Sequence, residues 1–361
     1  MILQFLVTQM SCGAYICSMR VLSIALAVVI STLAAATSHA DERRIATLAP
    51  EGSRWMKQLR AGADKIEKAT NGRVTAKYYA GGTQGDEKDV VRKMGLGQLD
   101  GAALTSVGLG LIVPSIRVLQ LPGLYANVGE VDYVRKKMWP YFQKKFRKQG
   151  YELLAPGDVG WIYMFATKSV KSEAALKRLK IWRWGDDPMS AEVFKELGLN
   201  GVPLGVPEVN AAFATGRVDA AFGSPLAAIA LQWHTSVKYM SSIPIGYGVG
   251  GMVLRKKVWD AASDTDKKIQ TKIGRKQVKR SIKLIRKDNK RALKALKREG
   301  ITFVTPDDSL QKKLAGTAEK TWTRWVGDLY TKKELAMVLK YRDEYRAKHP
   351  VKEGAVGEIA K

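Results

Sequence analysis

Few residues in this chain have the type and spacing that chemistry needs. Only three histidines occur, His39, His234 and His349. Imidazole base catalysis in the body of the chain therefore rests on His234, and no nucleophile stands near it in sequence. Gly223-Ser224-Pro225 lacks the glycines two residues to each side that a nucleophile elbow requires. His234 reads instead as a packed or pocket-edge residue. No His, Cys or carboxylate cluster has ligand spacing, so neither a metal nor a cofactor is expected. Gly246-Tyr247-Gly248-Val249-Gly250-Gly251 has the glycine density of a phosphate loop. A phosphate loop opens a helix, however, and this run leads into Met252-Val253-Leu254-Arg255, which reads as a strand. A glycine-rich crossover or hinge is the better description.

Aromatic side chains are the more suggestive set. Trp161, Tyr163, Phe165, Trp182, Trp184, Phe222, Trp233 and Tyr239 all fall between residues 161 and 239. Alternation along a strand sends every second side chain inward, so part of this set is core packing. Trp182 and Trp184 share one face of their strand and Arg183 takes the other. That face is either core or the wall of a pocket for an apolar ligand.

The elements that position these residues read as alternating strands and helices. Arg44–Ala49 is a strand, Ser53 caps a helix from Arg54 to Thr70, and Val74–Tyr79 is the next strand. Glu87–Gly95 is helical, Leu99–Leu104 a buried strand, and Tyr133–Gln149 an amphipathic helix. Beyond Trp161 come strands at 160–166, 179–184, 218–222 and 247–254, with helices at 188–197 and 209–215. Ala228–His234 reads as a further helix, from which Gln232 and Trp233 reach a cleft. Ser263-Asp264-Thr265-Asp266 opens a helix of some 35 residues that ends at Glu299-Gly300. At 1.5 Å per residue it is about 50 Å long, more than one small lobe is wide. Ser309–Lys348 closes the chain as a helical segment with Trp322 and Trp325 packed inward. The fold class is α/β: two lobes with a mostly parallel sheet covered on both faces, spanned by the long helix. The first lobe takes residues 41–164 and 252–300, the second 165–251 and 301–347, and 348–361 is a tail. Ser53, Trp55, Gln84, Thr105 and Ser106 lie at strand or helix ends of the first lobe, where open α/β sheets bind ligands.

Composition limits what such a body can be. The chain has 361 residues, 46% of them apolar, so two ordinary domains with their own cores are affordable and disorder is excluded as the main state. Residues 1–40 carry one charge, Arg20, then an apolar run from Val21 to Leu33 and small residues ending Ser38-His39-Ala40. That is the pattern of a secretory signal peptide cleaved near Ala40, with an uncleaved anchor as the competing reading. Both cysteines, Cys12 and Cys17, lie upstream, so the exported chain would have none. Either Met1 or Met19 fits as the start. The net charge is +26, and residues 255–300 hold 18 Lys and Arg against 5 Asp and Glu. With only Trp259 as an aromatic there, nucleic acid is not expected. A solvated face, drawn transiently to an anionic membrane surface or an acidic partner, fits better.

Several stretches together resemble the solute receptors of tripartite ATP-independent periplasmic (TRAP) transporters, the DctP-type family. They are Ala49-Pro50-Glu51-Gly52-Ser53-Arg54-Trp55, Gly81-Gly82-Thr83-Gln84-Gly85-Asp86-Glu87 and Gly97-Gln98-Leu99-Asp100-Gly101-Ala102. Leu176-Lys177-Arg178-Leu179-Lys180-Ile181 and Phe213-Ala214-Thr215-Gly216-Arg217-Val218-Asp219-Ala220 follow in the same order. The resemblance covers roughly residues 43–345. It implies a periplasmic two-lobed binding protein, not an enzyme, that closes on a small organic ligand and delivers it to the transporter's membrane subunits. Members of that family follow the Lys-Ile step with an arginine that pairs with a substrate carboxylate. Here Trp182 follows, with Arg183 one residue late, and one step along a strand reverses the side chain. Either a bulge returns Arg183 to the pocket or the carboxylate clamp has been given up. After Asp219, Phe222-Gly223-Ser224-Pro225 replaces the family's acidic residue and asparagine. Both departures imply a ligand more apolar than a simple dicarboxylate. The implied ligand-binding set is Ser53, Trp55, Gln84, Thr105, Ser106, Trp161, Trp182, Arg183, Trp184, Phe222, Ser224, Gln232 and Trp233. An exported enzyme, or an envelope protein adhering through its basic helix, is the alternative.

Overall fold

The computed structural model describes residues 41–350 apart from residue 186. The expected leader and all but the start of the expected tail lie outside the described residues. Ten strands pair in the order β2-β1-β3-β9-β4-β7-β5-β6, with β8 and β10 attached beside β4. In the first lobe β1 (Asp41–Thr47) lies between β2 (Val74–Tyr79) and β3 (Gly101–Thr105), parallel to β3. In the second, the end of β4 (Tyr151–Ala166) pairs with β7 (Ala220–Gly223), and β5 (Lys180–Trp184) runs parallel to β6 (Asn200–Leu204). Strand β8 (Tyr239–Ser241) joins the end of β4, and β10 (Thr302–Val304) adds to β8.

The centre departs from the expected mostly parallel sheet. Strand β9 (Gly246–Arg255) is antiparallel to both β3 and β4. The chain crosses to the second lobe along β4 and returns along β9, and a direct return has to run the opposite way. The glycine run expected as a crossover is thus the first half of β9, and its pairing with the first lobe begins at Gly246 rather than near Met252. Its glycines answer to crowding: a Cβ on Gly250 would sit 2.6 Å from the Leu104 carbonyl oxygen, and one on Gly251 3.1 Å from that of Ala155.

Helices cover the sheet as their caps direct. In the first lobe these are α1 (Arg54–Ala69), α2 (Glu87–Gly95), α3 (Ser106–Ile112) and α4 (Val128–Lys148). Helix α4 starts five residues ahead of the expected Tyr133, because the Asn127 side chain accepts from the amides of Gly129 and Glu130. In the second lobe are α5 (Glu173–Lys177), α6 (Pro188–Leu197), α7 (Val209–Ala214) and α8 (Pro225–Ala230). The helix expected over 228–234 is displaced: Ser224 caps it and Pro225 takes its first position, so it ends at Ala230. Gln232 then adopts φ 61°, and Trp233–Thr235 is a single 3-10 turn.

After α9 (Lys256–Ala261), the long helix α10 (Asp264–Arg298) has the expected 35 residues, capped by Ser263, and packs on β4, α1 and α8. The closing segment is two helices, α11 (Asp308–Arg324) and α12 (Lys332–Lys348), separated by Gly327 at φ 101° and a Thr331–Glu334 capping box. Trp325 is buried, and Trp322 donates to the Pro122 carbonyl at 2.9 Å. The segment 301–347, expected in the second lobe, divides. Helix α11 reaches α6 through Arg324–Glu192, whereas α12 lies on α4 through Lys145–Glu334 and Arg346–Glu130.

Candidate functional site

Strand β5 pairs with β6 residue for residue from Lys180↔Asn200 to Trp184↔Leu204, without a bulge. Trp182 and Trp184 therefore share a face, their rings 5.6 Å apart, and Trp233 stands 5.6 Å from Trp182 at 63°. The Trp182 indole donates to the Leu204 carbonyl at 3.0 Å. Arg183 points to the other side, where it donates to the Gly185 carbonyl at 2.8 Å. No local irregularity returns it to the tryptophan face.

A connected void of about 1910 Å³ begins between the lobes and continues under the seam of α1 and α10, where Gly62 and Gln277 line it. Small-molecule sites occupy roughly 300–1,000 Å³, so the void as a whole exceeds what one small ligand fills. Of the sequence-expected residues, the structure brings Trp55, Thr105, Trp182, Arg183, Trp184, Phe222 and Trp233 to its walls. The other six are placed elsewhere. Ser53 and Ser224 cap α1 and α8, their hydroxyls accepting from the amides of Met56 and Ala227. Gln84 accepts from the Lys93 ammonium, and the buried Ser106 bonds Gln120. Trp161 packs edge-on against Tyr247 at 5.1 Å, and Gln232 is exposed on its turn. His234 sits between the Ala228 carbonyl and Glu299, 3.4 Å from that carboxylate.

Two polar contacts that sequence reasoning missed cross the cleft. Asp86, at the start of α2, accepts from the Trp184 indole at 2.7 Å. Arg117, from the turn Pro114–Gln120, pairs with Asp187 at 2.9 Å, each side chain only 7% exposed. Arg117 is the one charge in the apolar stretch Leu111–Leu121, which was its signal; nothing local marked Asp187 as its partner. A third group was also missed, the carboxylate of Asp158 in β4. It is fully buried and bonds Arg135, the Arg286 guanidinium at 2.7 Å and the Tyr247 hydroxyl at 2.6 Å. Burial and the Asp158 charge push the Tyr247 hydroxyl's pKa upward. The Trp55 indole donates to the Asp158 carbonyl at 3.0 Å, tying α1 to this junction.

Glu87 lines the void beside Thr105 and among the described residues forms no ion pair. Its carboxyl accepts from the Thr105 amide at 2.6 Å, the Thr105 hydroxyl at 2.8 Å and the Gly108 amide at 2.6 Å. Burial pushes its pKa from 4.5 up to about 7, against the pull of those donors. The folded protein thus holds this proton more tightly than the unfolded chain. The resulting stabilisation is full below pH 4.5 and is lost as pH rises through 7. At about 1.4 kcal/mol per pKa unit the loss is about 3 kcal/mol. Glu87→Gln is expected to flatten the fall in urea midpoint across that window; an unchanged slope would locate the titration elsewhere.

Among the described residues no group of three or more His, Cys, Asp or Glu could hold a metal ion, and no helix is long and apolar enough to cross a membrane. The fold matches solved structures closely. A TRAP periplasmic solute binding protein from Xanthobacter autotrophicus, with bound β-D-galacturonate, superposes with TM-score 0.77 at 21% identity, covering 83% of this chain and 99% of that one. A Bordetella pertussis extracytoplasmic solute receptor binding pyroglutamic acid gives TM-score 0.78 at 19% identity, covering 84% and 99%. In sequence the chain is 26% identical over 202 residues to a solute-binding protein of Chromohalobacter salexigens, a match over 55% of this chain and 59% of that protein. An uncharacterized protein of Haemophilus influenzae is likewise matched over only 61% of its length. Residues 45–327 fit the model of the DctP family, so this chain belongs to the bacterial extracellular solute-binding proteins of family 7.

Proposed function

We propose that this chain is a periplasmic receptor, freed of its leader near Ala40. It captures a small organic acid with a largely apolar body between its lobes and hands it, chemically unchanged, to the membrane subunits of a TRAP-type permease. Family membership and the solute-bound neighbours support capture and delivery. The observation that carries the ligand class is the cluster of Trp182, Trp184 and Trp233, tilted and edge-to-face, at the cleft. Such a cluster favours flat or aliphatic surface over a second carboxylate. Charge agrees: Arg117 is neutralised by Asp187, and Arg183 lies off the tryptophan face, bonded to the Gly185 carbonyl. We assign contact with the ligand to Trp55, Thr105, Trp182, Trp184, Phe222 and Trp233.

Native mass spectrometry of the purified protein is expected to reveal a co-purified monocarboxylate. Titration with organic acids, followed by tryptophan fluorescence, should give micromolar or tighter binding for aromatic or branched monoacids and at least about tenfold weaker binding for C4-dicarboxylates. Tight dicarboxylate binding that is lost in Arg183→Ala overturns the ligand class. A ligand recovered in altered form would identify an exported enzyme instead.

A further inference from the structure

Eight of the fifteen basic residues of the long helix fall into a single line. Along α10, Lys268, Lys272, Lys276, Lys279, Lys283 and Lys287 follow one another at steps of four, four, three, four and four residues. At about 100° per residue those steps keep all six side chains within an arc of about 100°. Lys294 and Lys297 extend the same arc, so the line runs about 44 Å along the helix axis. All eight lysines are exposed, and among the described residues none makes an ion pair. Of the acidic residues of the helix, Asp266 is buried against Arg73, Asp288 faces Arg54 and Arg291, and only Asp264, at the exposed first position beside Lys267, lies near the start of the line. Packing on β4, α1 and α8 covers another face of the helix, and Arg275, Arg280, Lys290, Arg291 and Arg298 are exposed as well.

Like charges held in a row repel one another and are not needed to keep a helix soluble, where mixed signs serve better. The line consists of lysines, which act as point charges, and not of the arginine forks that recognise individual carboxylates. It carries no aromatic or large apolar residue that would insert into a bilayer or stack on bases. A long, flat, purely electrostatic surface suits an extended plane of anionic headgroups. We propose that the exposed lysine face of α10 holds the protein reversibly against an anionic lipid bilayer, without insertion. The receptor would then search for its permease along the membrane surface.

The test is co-sedimentation of the full chain with vesicles of phosphatidylglycerol and phosphatidylethanolamine, and with neutral phosphatidylcholine vesicles as the comparison. Binding to the anionic vesicles should exceed that to neutral ones by at least about tenfold at low salt and disappear at high salt. Replacing Lys272, Lys276, Lys279, Lys283 and Lys287 with glutamine should lower binding by at least about tenfold, with the circular dichroism spectrum unchanged. A charge-matched variant with Lys57, Lys68, Lys144, Lys148 and Lys195 replaced by glutamine should keep most of it. Equal losses in the two variants would show that net charge, and not the line, is responsible, and would overturn the proposal. So would failure of the native protein to bind anionic vesicles. Binding to soluble polyglutamate without vesicle binding would overturn it in favour of an acidic protein partner. None of these readouts involves the cleft, so they are independent of the ligand reading.

Discussion

Asp158→Ala is expected to destabilise the protein by about 3–5 kcal/mol, the largest single-residue effect outside the hydrophobic core. The carboxylate is wholly buried and is the common acceptor for Arg135, Arg286 and the Tyr247 hydroxyl. Removing it leaves two guanidinium groups facing each other, one of them only 7% exposed, with Asp132 as their remaining anion. Burial pushes the Asp132 carboxyl up, but the contacts with Arg286 and Arg135 outweigh it and hold the pKa below its ordinary value, so Asp132 stays charged. It reaches both arginines from one side only and cannot replace the bond to Tyr247. Urea denaturation followed by far-ultraviolet circular dichroism measures the loss, and Asp158→Asn, which keeps an acceptor, should lose less. A change below about 1 kcal/mol for the alanine variant would mean that water enters and solvates the arginines.

The second large effect concerns the opening and closing of the lobes that the proposed capture of a ligand entails. Asp187→Ala leaves Arg117 charged, unpaired and shut away between the lobes. When the lobes part, water can reach the guanidinium. The substitution therefore penalises the closed form specifically, by about 2 kcal/mol or about 30-fold in population. Small-angle scattering without added ligand should show a larger radius of gyration for the variant than for the native protein. Arg117→Met combined with Asp187→Ala removes both charges and should return the scattering toward the native curve. Identical curves for all three proteins would show that the ion pair does not govern closure. Trp184→Phe, which removes the hydrogen bond to Asp86 along with part of the ring packing on Trp182, should have the same sign and a smaller size.

What could be read from the sequence followed from local periodicity. Helix α10 was legible over its full length because apolar residues recur at helical spacing between a serine cap and a terminal glycine. The shared face of Trp182 and Trp184 followed from strand alternation alone. The same residue types served two purposes, however, and sequence did not separate them. Ser53 and Ser224 look like ligand contacts at element ends, yet their hydroxyls are spent on helix amides. The glycines of 246–251 read as a hinge because the carbonyls that crowd Gly250 and Gly251 come from residues about 150 and 100 positions away. Arg117 and Asp187 are 70 residues apart, and their pairing exists only once two lobes with separate strand orders have come together.

Strand β4 carries one further implication. Its sixteen residues serve both halves, pairing with β9 over their first part and with β7 and β8 at their end. Cutting the gene within it would deprive one half of a strand, and the later part of the chain recrosses the junction through β9 and α10. The two halves are therefore not modules that evolution or an engineer can exchange singly; a transplant has to carry the whole interwoven pair.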